Sequence, residues 1–495
     1  MNYLDLLKLA APETIVVLTA FVVLVADLVA MRDLELRFRR VIGGLIACVG
    51  CLAAIGWMVA LPQAREGLSG MLVVDALTQF VKVALLALTI LTVLLSLESD
   101  FTTHTGEYFA LILFGTVGMM FLVSSDDLLM VFVSLELTSL SLYILAAFNK
   151  RSPQSAEASL KYYLFGGMSA AFTLFGFSLL YGLSGATNLG QIASAIHSAK
   201  LDPLLVLAIV MSVVGFGFKV AAAPFHLWAP DAYQGAPTPS AALIASGSKV
   251  AGFFIFAKVM MLGFKGAEGS GAWQAYLPGW VPVVAIVAAL SMVVGNLAAL
   301  VQGSVRRLLA YSAVAHAGYM LLGVMAHGGQ SLAALVYYVI TYGLSALGAF
   351  GVLSVVQRAN GEERLSDFAG LSRRAPLVAF CMLIFLLSLV GIPPLAGFFG
   401  KFYLFATALN SGPENGLLWL VALALGLSAV SLYYYLQVLK QIYVADEPAG
   451  SAAASMPIVT QVVLVLVALA VIILGCVPGL LVGRLGEAVR SAGLS

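Results

Sequence analysis

Six lysines lie inside long apolar stretches of the sequence: Lys82, Lys161, Lys219, Lys249, Lys258 and Lys401. One acidic residue, Glu136, occupies the middle of such a stretch, where "VSLELTSLS" surrounds it with hydroxyl side chains. On insertion scales a charge at the centre of a bilayer costs about 2.5–3.5 kcal/mol. Because buried charged residues are so unfavourable, their presence indicates that they have a function. For lysine that function is proton transfer.

A lysine can take up or release a proton when its surroundings change. Its reference pKa is near 10.4; burial favours the neutral amine, and a nearby carboxylate favours the ammonium. A row of such lysines with water between them can therefore pass protons through a membrane protein. The predicted proton-transfer residues are Glu136, Lys161, Lys219, Lys249 and Lys401. A static ion pair is the alternative role for Glu136.

Two histidines are candidates for a secondary proton relay. His226 follows Lys219 in the same segment, and His316 lies in "AYSAVAHAGYM". Imidazole titrates near neutral pH, which suits it to linking a buried lysine to water. The alternative for each is a core histidine that is hydrogen-bonded to a helix backbone.

The remaining two lysines are not among the predicted proton-transfer residues. Lys258 lies near the end of its apolar stretch, on the opposite side of the helix from Lys249, so we expect it to snorkel to the interface. Lys82 shares a helix face with Asp75, which is too close to the helix end to neutralise it directly. Both a structural and a functional role for Lys82 stay open.

The composition indicates which class of protein must position these charges. Of 495 residues, 61% are hydrophobic and 10% are charged, whereas soluble proteins carry about 25% charged residues. About fourteen stretches are long and apolar enough to span a bilayer as helices. The predicted fold is an all-α, polytopic membrane protein embedded in a lipid bilayer. The formal net charge of +1 gives no sign of a nucleic-acid partner.

Two predicted spans, the seventh and the twelfth, are interrupted by proline close to a lysine. "KVAAAPFHLWAP" breaks at Pro224 after Lys219, and "GIPPLAGFFGK" breaks at Pro393 and Pro394 before Lys401. Unpaired backbone is tolerated at membrane depth only inside protein or beside water. Transporters often place broken helices at matching positions of two inverted halves. Two accidental proline kinks are the alternative.

The positions of the two breaks predict two inverted five-helix repeats with discontinuous helices seven and twelve. The predicted units are an N-terminal three-helix segment, the first repeat, the second repeat and a C-terminal helix, at 1–107, 108–262, 263–443 and 444–495.

Basic residues are unevenly distributed between the two sets of loops. One set carries Arg32, Arg37, Arg39, Arg40, Lys150, Arg151, Arg306, Arg307, Arg358, Arg364, Arg373, Arg374 and Lys440. The other carries Lys8, Arg65, Lys200, Lys265, Arg484 and Arg490. Because basic residues accumulate in cytoplasmic loops, the first set is predicted to be cytoplasmic and both termini periplasmic.

The residues around the two breaks resemble a known family. "KVAAAPFHLWAPDAYQGAPTP", Glu136, Lys161 and "GIPPLAGFFGKF" resemble the antiporter-like subunits of respiratory complex I, the NADH-quinone oxidoreductase. The resemblance is strongest over 110–445. The lysines at 249 and 401 are similar to those of the N-type subunit, rather than to the residues of the L- and M-type subunits.

This resemblance implies a role in a larger assembly. Such complexes oxidise NADH through FMN and iron–sulfur clusters in other subunits, reduce quinone and pump protons. In this family Glu136 and Lys219 would form a coupled ion pair. Lys161 and Lys249 would continue the hydrophilic axis, and Lys401 would lie at its exit. The implied partners are the other membrane and peripheral subunits, especially the M-type and K-type membrane subunits, in a bacterial inner membrane.

The chain itself gives no sign of a redox centre. It has no G-x-G-x-x-G motif, and Cys48 and Cys51 lie in an apolar stretch without a second ligand pair. We therefore expect no cofactor and no metal in this chain, with the oxidoreductase activity belonging to the assembly. Two alternatives stay open: a subunit of an Mrp-type cation/proton antiporter, and a structural spacer between pump subunits. Lysines near the breaks favour protons over Na⁺, because a protonated lysine cannot ligate a cation.

Overall fold

The computed structural model describes residues 8–60, 66–68, 70–196, 201–326, 328–360, 363–411, 416–447 and 457–493. Arg65 and Lys200, which contribute to the predicted orientation, lie outside the described residues. Within those ranges the chain forms helices and one hairpin of two short strands, β1 (Glu66–Leu68) and β2 (Leu72–Val74).

The helices in chain order are α1 (Ala11–Val25), α2 (Leu36–Ala60), α3 (Ala76–Ser96), α4 (Thr105–Ser124), α5 (Leu128–Ala146), α6 (Pro153–Ser184), α7 (Leu189–Ile196), α8 (Pro203–Lys219), α9 (Trp228–Gly235), α10 (Thr238–Ala245), α11 (Gly247–Lys258), α12 (Trp280–Leu300), α13 (Val305–Met325), α14 (Gly329–Asn360), α15 (Leu371–Arg374), α16 (Pro376–Val390), α17 (Ala396–Leu409), α18 (Leu418–Tyr443), α19 (Ile458–Cys476) and α20 (Gly479–Ser491). Short π-helical turns extend α1 over Ala26–Ala30 and α11 over Val259–Gly263, and a 3₁₀ turn covers Leu365–Phe368.

Within the described residues, twelve helices are long and apolar enough to cross a membrane. They are α1 with its extension, α2 to α6, α10 joined to α11, α12 to α14, α18 and α19. Two further crossings are each made of two shorter helices, α8 with α9 and α16 with α17. Twelve continuous and two interrupted crossings make the fourteen that the sequence predicts. The all-α polytopic fold is confirmed.

The seventh crossing is interrupted between Lys219 and Trp228, as predicted. The peptide bond before Pro224 within this segment is cis. Neighbouring side chains satisfy the backbone groups that the break frees: the Trp228 indole donates to the carbonyl of Phe218 at 3.0 Å, and the Ser291 hydroxyl accepts from the amide of Ala223 at 2.8 Å. The break is therefore stabilised inside protein, as membrane depth requires.

The twelfth crossing is interrupted between Val390 and Ala396, also as predicted. Gly391 follows α16 with a left-handed φ of 91°, a conformation that glycine adopts without steric cost. The Pro393–Pro394 peptide bond is cis. The Ser388 hydroxyl accepts from the amide of Gly397 at 3.2 Å and ties the start of α17 to the end of α16.

The central crossings are the most deeply covered by protein. The crossing formed by α10 and α11 is buried along its whole length, and α13 and α14 are nearly so. By contrast, α1, α6 and α18 leave most of their surface outside, with an apolar face suited to lipid or a neighbouring subunit. The fold therefore places Lys249, on α11, and His316, on α13, in the centre of the helical assembly.

Candidate proton-transfer site

Lys219 is the last residue of α8, and its side chain points to α5. The residue is only 5% exposed, and its ammonium donates a hydrogen bond to the hydroxyl of Ser139 at 3.1 Å. Glu136 lies one turn before Ser139 on α5. Lys219, Glu136 and Ser139 line a cavity of about 20 Å³, which is room for one water molecule. The predicted partners thus share a cavity, with the Ser139 hydroxyl as the direct partner of the ammonium.

Lys249 is buried near the start of α11, just after a kink in the eighth crossing. Ser246 separates α10 from α11 with φ −112° and ψ −82°. The Lys249 ammonium donates a hydrogen bond to the carbonyl of Ala313 on α13 at 2.6 Å. It also lies 5.6 Å from the centre of the Tyr342 ring, where the negative face of the aromatic ring attracts a cation.

Lys401 lies on α17, five residues after that helix begins. Its ammonium donates hydrogen bonds to the carbonyl of Val390 and to the hydroxyl of Ser428, both at 2.7 Å. It lies 5.0 Å from the centre of the Tyr319 ring. The lysine therefore reaches back across the break that precedes it.

The three buried lysines share a position beside an interruption of their own helix. Lys219 ends α8, Lys249 follows the Ser246 kink, and Lys401 contacts the last residue of α16. The end of a helix leaves carbonyl oxygens without intrahelical donors, and their partial negative charge favours a cation. At the twelfth crossing this effect is direct, because the carbonyl of Val390 and the hydroxyl of Ser428 hold the Lys401 ammonium without a carboxylate partner in the described part of the chain.

His316 joins this set through hydroxyl groups. Its Nδ1 is 2.7 Å from the hydroxyl of Tyr338, and its Nε2 is 3.3 Å from the hydroxyl of Tyr435. Tyr435 is also hydrogen-bonded to Ser312. His316 is therefore held by side chains, in place of the helix-backbone bond considered as the alternative.

A further hydrogen-bonded series runs toward Lys401. The Tyr434 hydroxyl donates to Asn296 at 3.1 Å, and the Asn296 amide donates to the Tyr319 hydroxyl at 3.1 Å. Tyr319 is the ring under the Lys401 ammonium. The tyrosines around His316 and Lys401 were missed in the sequence, although "YYVITY", which contains Tyr338, and "SLYYYL", which contains Tyr434 and Tyr435, lie inside predicted spans and could have indicated them.

His226 lies in the interrupted segment between α8 and α9 and is 6% exposed. Its ring packs against Tyr311, with 6.3 Å between ring centres. The buried Nδ1 atom has no hydrogen-bond partner among the described residues. The Nδ1 side of the ring is therefore closed off from bulk water.

Lys161 is placed differently from the other candidates. Its side chain is 39% exposed and forms ion pairs with Asp231 and Glu157, both at 2.7 Å. Asp231 also contacts Arg307 at 2.7 Å. Asp231, Glu157 and Arg307 line an open cavity of about 510 Å³. Lys161 therefore lies beside bulk water, away from the Glu136–Lys219 cavity.

Residues 125–431 match the family described as "NADH:quinone oxidoreductase/Mrp antiporter, TM". The chain belongs to this family. The matched region runs from the turn before α5 into α18, and so contains all three lysines at helix breaks.

Individual relatives match nearly the full length of the chain. NADH-quinone oxidoreductase subunit N 2 of Acidobacterium capsulatum is 53% identical, over 97% of this chain and 98% of that protein. Subunit N of Desulforamulus reducens is 40% identical, over 89% of this chain and 90% of that protein.

Solved structures share the fold. A chain of respiratory complex I from Thermus thermophilus with bound aureothin is 34% identical, with a TM-score of 0.77 and coverage of 96% of this chain and 99% of that chain. A chain of the Mrp complex from Dietzia sp. DQ12-45-1b shares the fold alone, with 21% identity, a TM-score of 0.81 and coverage of 99% and 97%.

Lys258 differs from its sequence-based expectation, and Lys82, whose role the sequence leaves open, has a partner in the structure. Lys258 does not snorkel: its side chain is 6% exposed and its ammonium lies 2.6 Å from Asp126. Lys82 is paired with Glu13 at 2.6 Å, and both side chains are buried. Glu13 was missed because it lies at the edge of the first predicted span, where an acidic residue is expected to face water.

The cysteines and acidic residues are the remaining candidates for metal ligands. Cys48 and Cys51 are free and buried in α2. Within the described ranges, no three His, Cys, Asp or Glu residues form a group that could hold a metal ion.

Proposed function

We propose that this chain is the proton-translocating N-type membrane subunit of an NADH-quinone oxidoreductase, in which electron transfer in other subunits drives proton movement through buried lysines. The observation that carries the proposal is the shared position of Lys219, Lys249 and Lys401, each buried beside a break in its own helix. Family membership and the length-wide similarity to subunit N proteins support the same function.

The chemistry assigned to each residue follows from its surroundings. Lys161 exchanges protons with water beside the open cavity that Asp231 lines, and His226 relays protons between the cytoplasmic side and Lys219. Glu136 and Lys219 share one small cavity, so a proton added to the carboxylate weakens its hold on the ammonium and favours proton release. In the first half of the path, the protonation state of Glu136 therefore controls proton release from Lys219.

The second half of the path uses Lys249, His316 and Lys401. The tyrosines around His316 supply hydroxyl groups that both accept and donate protons, as a relay requires. Lys401 releases its proton at the exit, beside the break at Pro393 and Pro394. The units 108–262 and 263–443 are the two inverted repeats that hold these halves.

The rest of the complex supplies the redox centres and the neighbouring membrane subunits. FMN, iron–sulfur clusters and quinone belong to partner subunits, and M-type and K-type membrane subunits are the expected neighbours. The complex lies in a bacterial inner membrane with both termini of this chain facing the periplasm.

The proposal is tested by Lys219→Ala in membranes that contain the assembled complex, with assembly checked on a native gel. NADH-driven proton pumping and NADH–quinone turnover are recorded together. Lys265→Ala, which removes an exposed loop lysine, is the matched control. We expect pumping to fall by about a hundredfold, the lower bound for a positioned proton-transfer group, and turnover to fall with it. Normal pumping and turnover in an intact complex would instead favour the structural spacer.

A further inference from the structure

Two buried lysines, Lys82 and Lys258, lie outside the proposed proton path, and Lys82 is the more deeply buried of the two. The Lys82 ammonium, on α3, is 2.6 Å from a carboxylate oxygen of Glu13, on α1. The side chains are 3% and 2% exposed, so this is the most deeply buried ion pair among the described residues. No role was assigned to Lys82 from the sequence.

The pair lies inside the first four crossings. α1 packs against α2 and α4, and α3 packs against the same two helices from the other side. The Glu13–Lys82 contact therefore adds a direct side-chain link between α1 and α3. α3 also packs against α11, the helix that carries Lys249.

The pair is also close to one surface of the membrane. Asp75 caps the start of α3 by accepting a hydrogen bond from the amide of Thr78 at 2.8 Å. Lys82 is two turns further along, about 10 Å by the rise of an α-helix. Lys82 therefore lies in the half of α3 that begins at Asp75.

The polar groups around the pair are incompletely satisfied. The second carboxylate oxygen of Glu13 and the side-chain oxygen of Gln79 are buried, and neither has a hydrogen-bond partner among the described residues. Gln79 lies one turn before Lys82 on the same face of α3. A purely structural ion pair is expected to have its remaining acceptors occupied, because each unsatisfied one is costly. Two free acceptors beside an ion pair instead form a place for a water molecule or a proton.

We propose that Glu13 and Lys82 form an additional proton-exchange site, which links the Lys249 region to the aqueous phase on the Asp75 side. In the transfer step an N–H bond of the Lys82 ammonium breaks and an O–H bond forms on Glu13, leaving a neutral amine and a neutral acid. The carboxyl group of Glu13 then rotates, and the same O–H bond breaks to give the proton to a water molecule, leaving Glu13 as the carboxylate. The amine takes a new proton from the Lys249 side, and the ion pair is restored.

The test separates proton exchange from a structural tie between α1 and α3. Lys82→Arg keeps a cation beside Glu13 but removes proton release, because a guanidinium stays protonated in proteins. The double variant Glu13→Leu/Lys82→Met replaces the pair with apolar groups, which fold at least as well as buried ion pairs in other proteins. Lys258→Arg is the matched control, since Lys258 is also buried and lies 2.6 Å from its carboxylate partner.

All variants are assayed in membranes that contain the assembled complex, for proton pumping and NADH–quinone turnover. We expect Lys82→Arg and the double variant to assemble and to pump about a hundredfold more slowly, the lower bound for losing one proton-transfer group. Pumping at the control rate in either assembled variant overturns the proposal, and so does failure of both to assemble, which assigns the pair to folding. This inference rests on proton translocation by the subunit, so Lys219→Ala is run in parallel. Loss of pumping in Lys219→Ala with normal pumping in Lys82→Arg rejects the additional site alone.

Discussion

Lys401 donates a hydrogen bond of 2.7 Å to the carbonyl oxygen of Val390, the last residue of the helix on the other side of the break. The break frees this carbonyl from its intrahelical partner, and the lysine satisfies it. The carbonyl in turn offers the ammonium a partial negative charge in place of a carboxylate. Each feature thus offsets the cost of the other, which explains why a proline break and a buried lysine occur together.

Replacing Lys401 with methionine keeps the length of the side chain and removes the charge. The Val390 carbonyl and the Ser428 hydroxyl then lose their donor, and a lost hydrogen bond to a charged group costs about 1.5–3 kcal/mol. We expect the complex to assemble with a lower melting temperature and to lose proton pumping. Thermal unfolding and pumping of the same preparation measure the two effects. Full pumping in Lys401→Met would exclude Lys401 as a proton carrier.

Ser139 accepts a hydrogen bond from the Lys219 ammonium in the cavity that both residues line. Substituting Ser139 therefore tests whether this cavity matters for proton transfer. Ser139→Ala leaves the lysine in place without its hydroxyl partner, so the proton affinity of Lys219 changes while the group that titrates remains. We expect turnover to fall by about tenfold, the equivalent of ~1.5 kcal/mol at the lower end of the range for a hydrogen bond to a charged group, and less than in Lys219→Ala. The measurement is turnover of both variants at several pH values. If turnover fell as far in Ser139→Ala as in Lys219→Ala, the hydroxyl would be as important as the lysine, contrary to this prediction.

The two tyrosines that hold His316 are expected to differ in importance. The Tyr338 hydroxyl is 2.7 Å from the imidazole and the Tyr435 hydroxyl is 3.3 Å away. Since the shorter hydrogen bond is the stronger one, Tyr338→Phe should reduce pumping more than Tyr435→Phe. Tyr276→Phe, at an exposed loop position, is the control. Equal and undiminished pumping in all three variants would rule out a hydroxyl relay at His316.

Glu363 provides a pH-dependent test outside the membrane-spanning segments. It forms an ion pair with Arg306, which also donates a hydrogen bond to the carbonyl of Ala236 at 3.0 Å. Burial raises the pKa of the Glu363 carboxyl, although the Arg306 guanidinium opposes the shift. Because the pKa is higher in the folded state, the contribution of this group to stability is present at low pH. It is lost as the pH rises through the folded-state pKa.

The corresponding variant is Glu363→Gln, which cannot ionise. We expect the melting temperature of the solubilised wild-type complex to fall more steeply between acidic and neutral pH than that of the variant. The two are compared by thermal unfolding at matched ionic strength. Parallel pH profiles would show that Glu363 does not titrate in this range.

Much of the fold could be predicted from the sequence because the membrane imposes local requirements. A crossing needs a continuous apolar stretch, and a proline inside it interrupts the helix whatever surrounds it. The fourteen crossings and the breaks at Pro224 and at Pro393–Pro394 follow from such local features. The cost of a charge in lipid likewise singled out Lys219, Lys249 and Lys401 by type and position alone.

What each charge contacts was decided by the tertiary structure. Lys82 pairs with Glu13, Lys258 with Asp126, and Lys161 with Asp231 rather than with the central axis. These partners lie on other helices or in loops that are distant in sequence. A lysine side chain is long enough to reach several neighbours, so the packing of the helices selects one of them. The sequence by itself determined that buried charges must be compensated, and only the packed helices decided by which group, because compensation acts over a few ångströms in space.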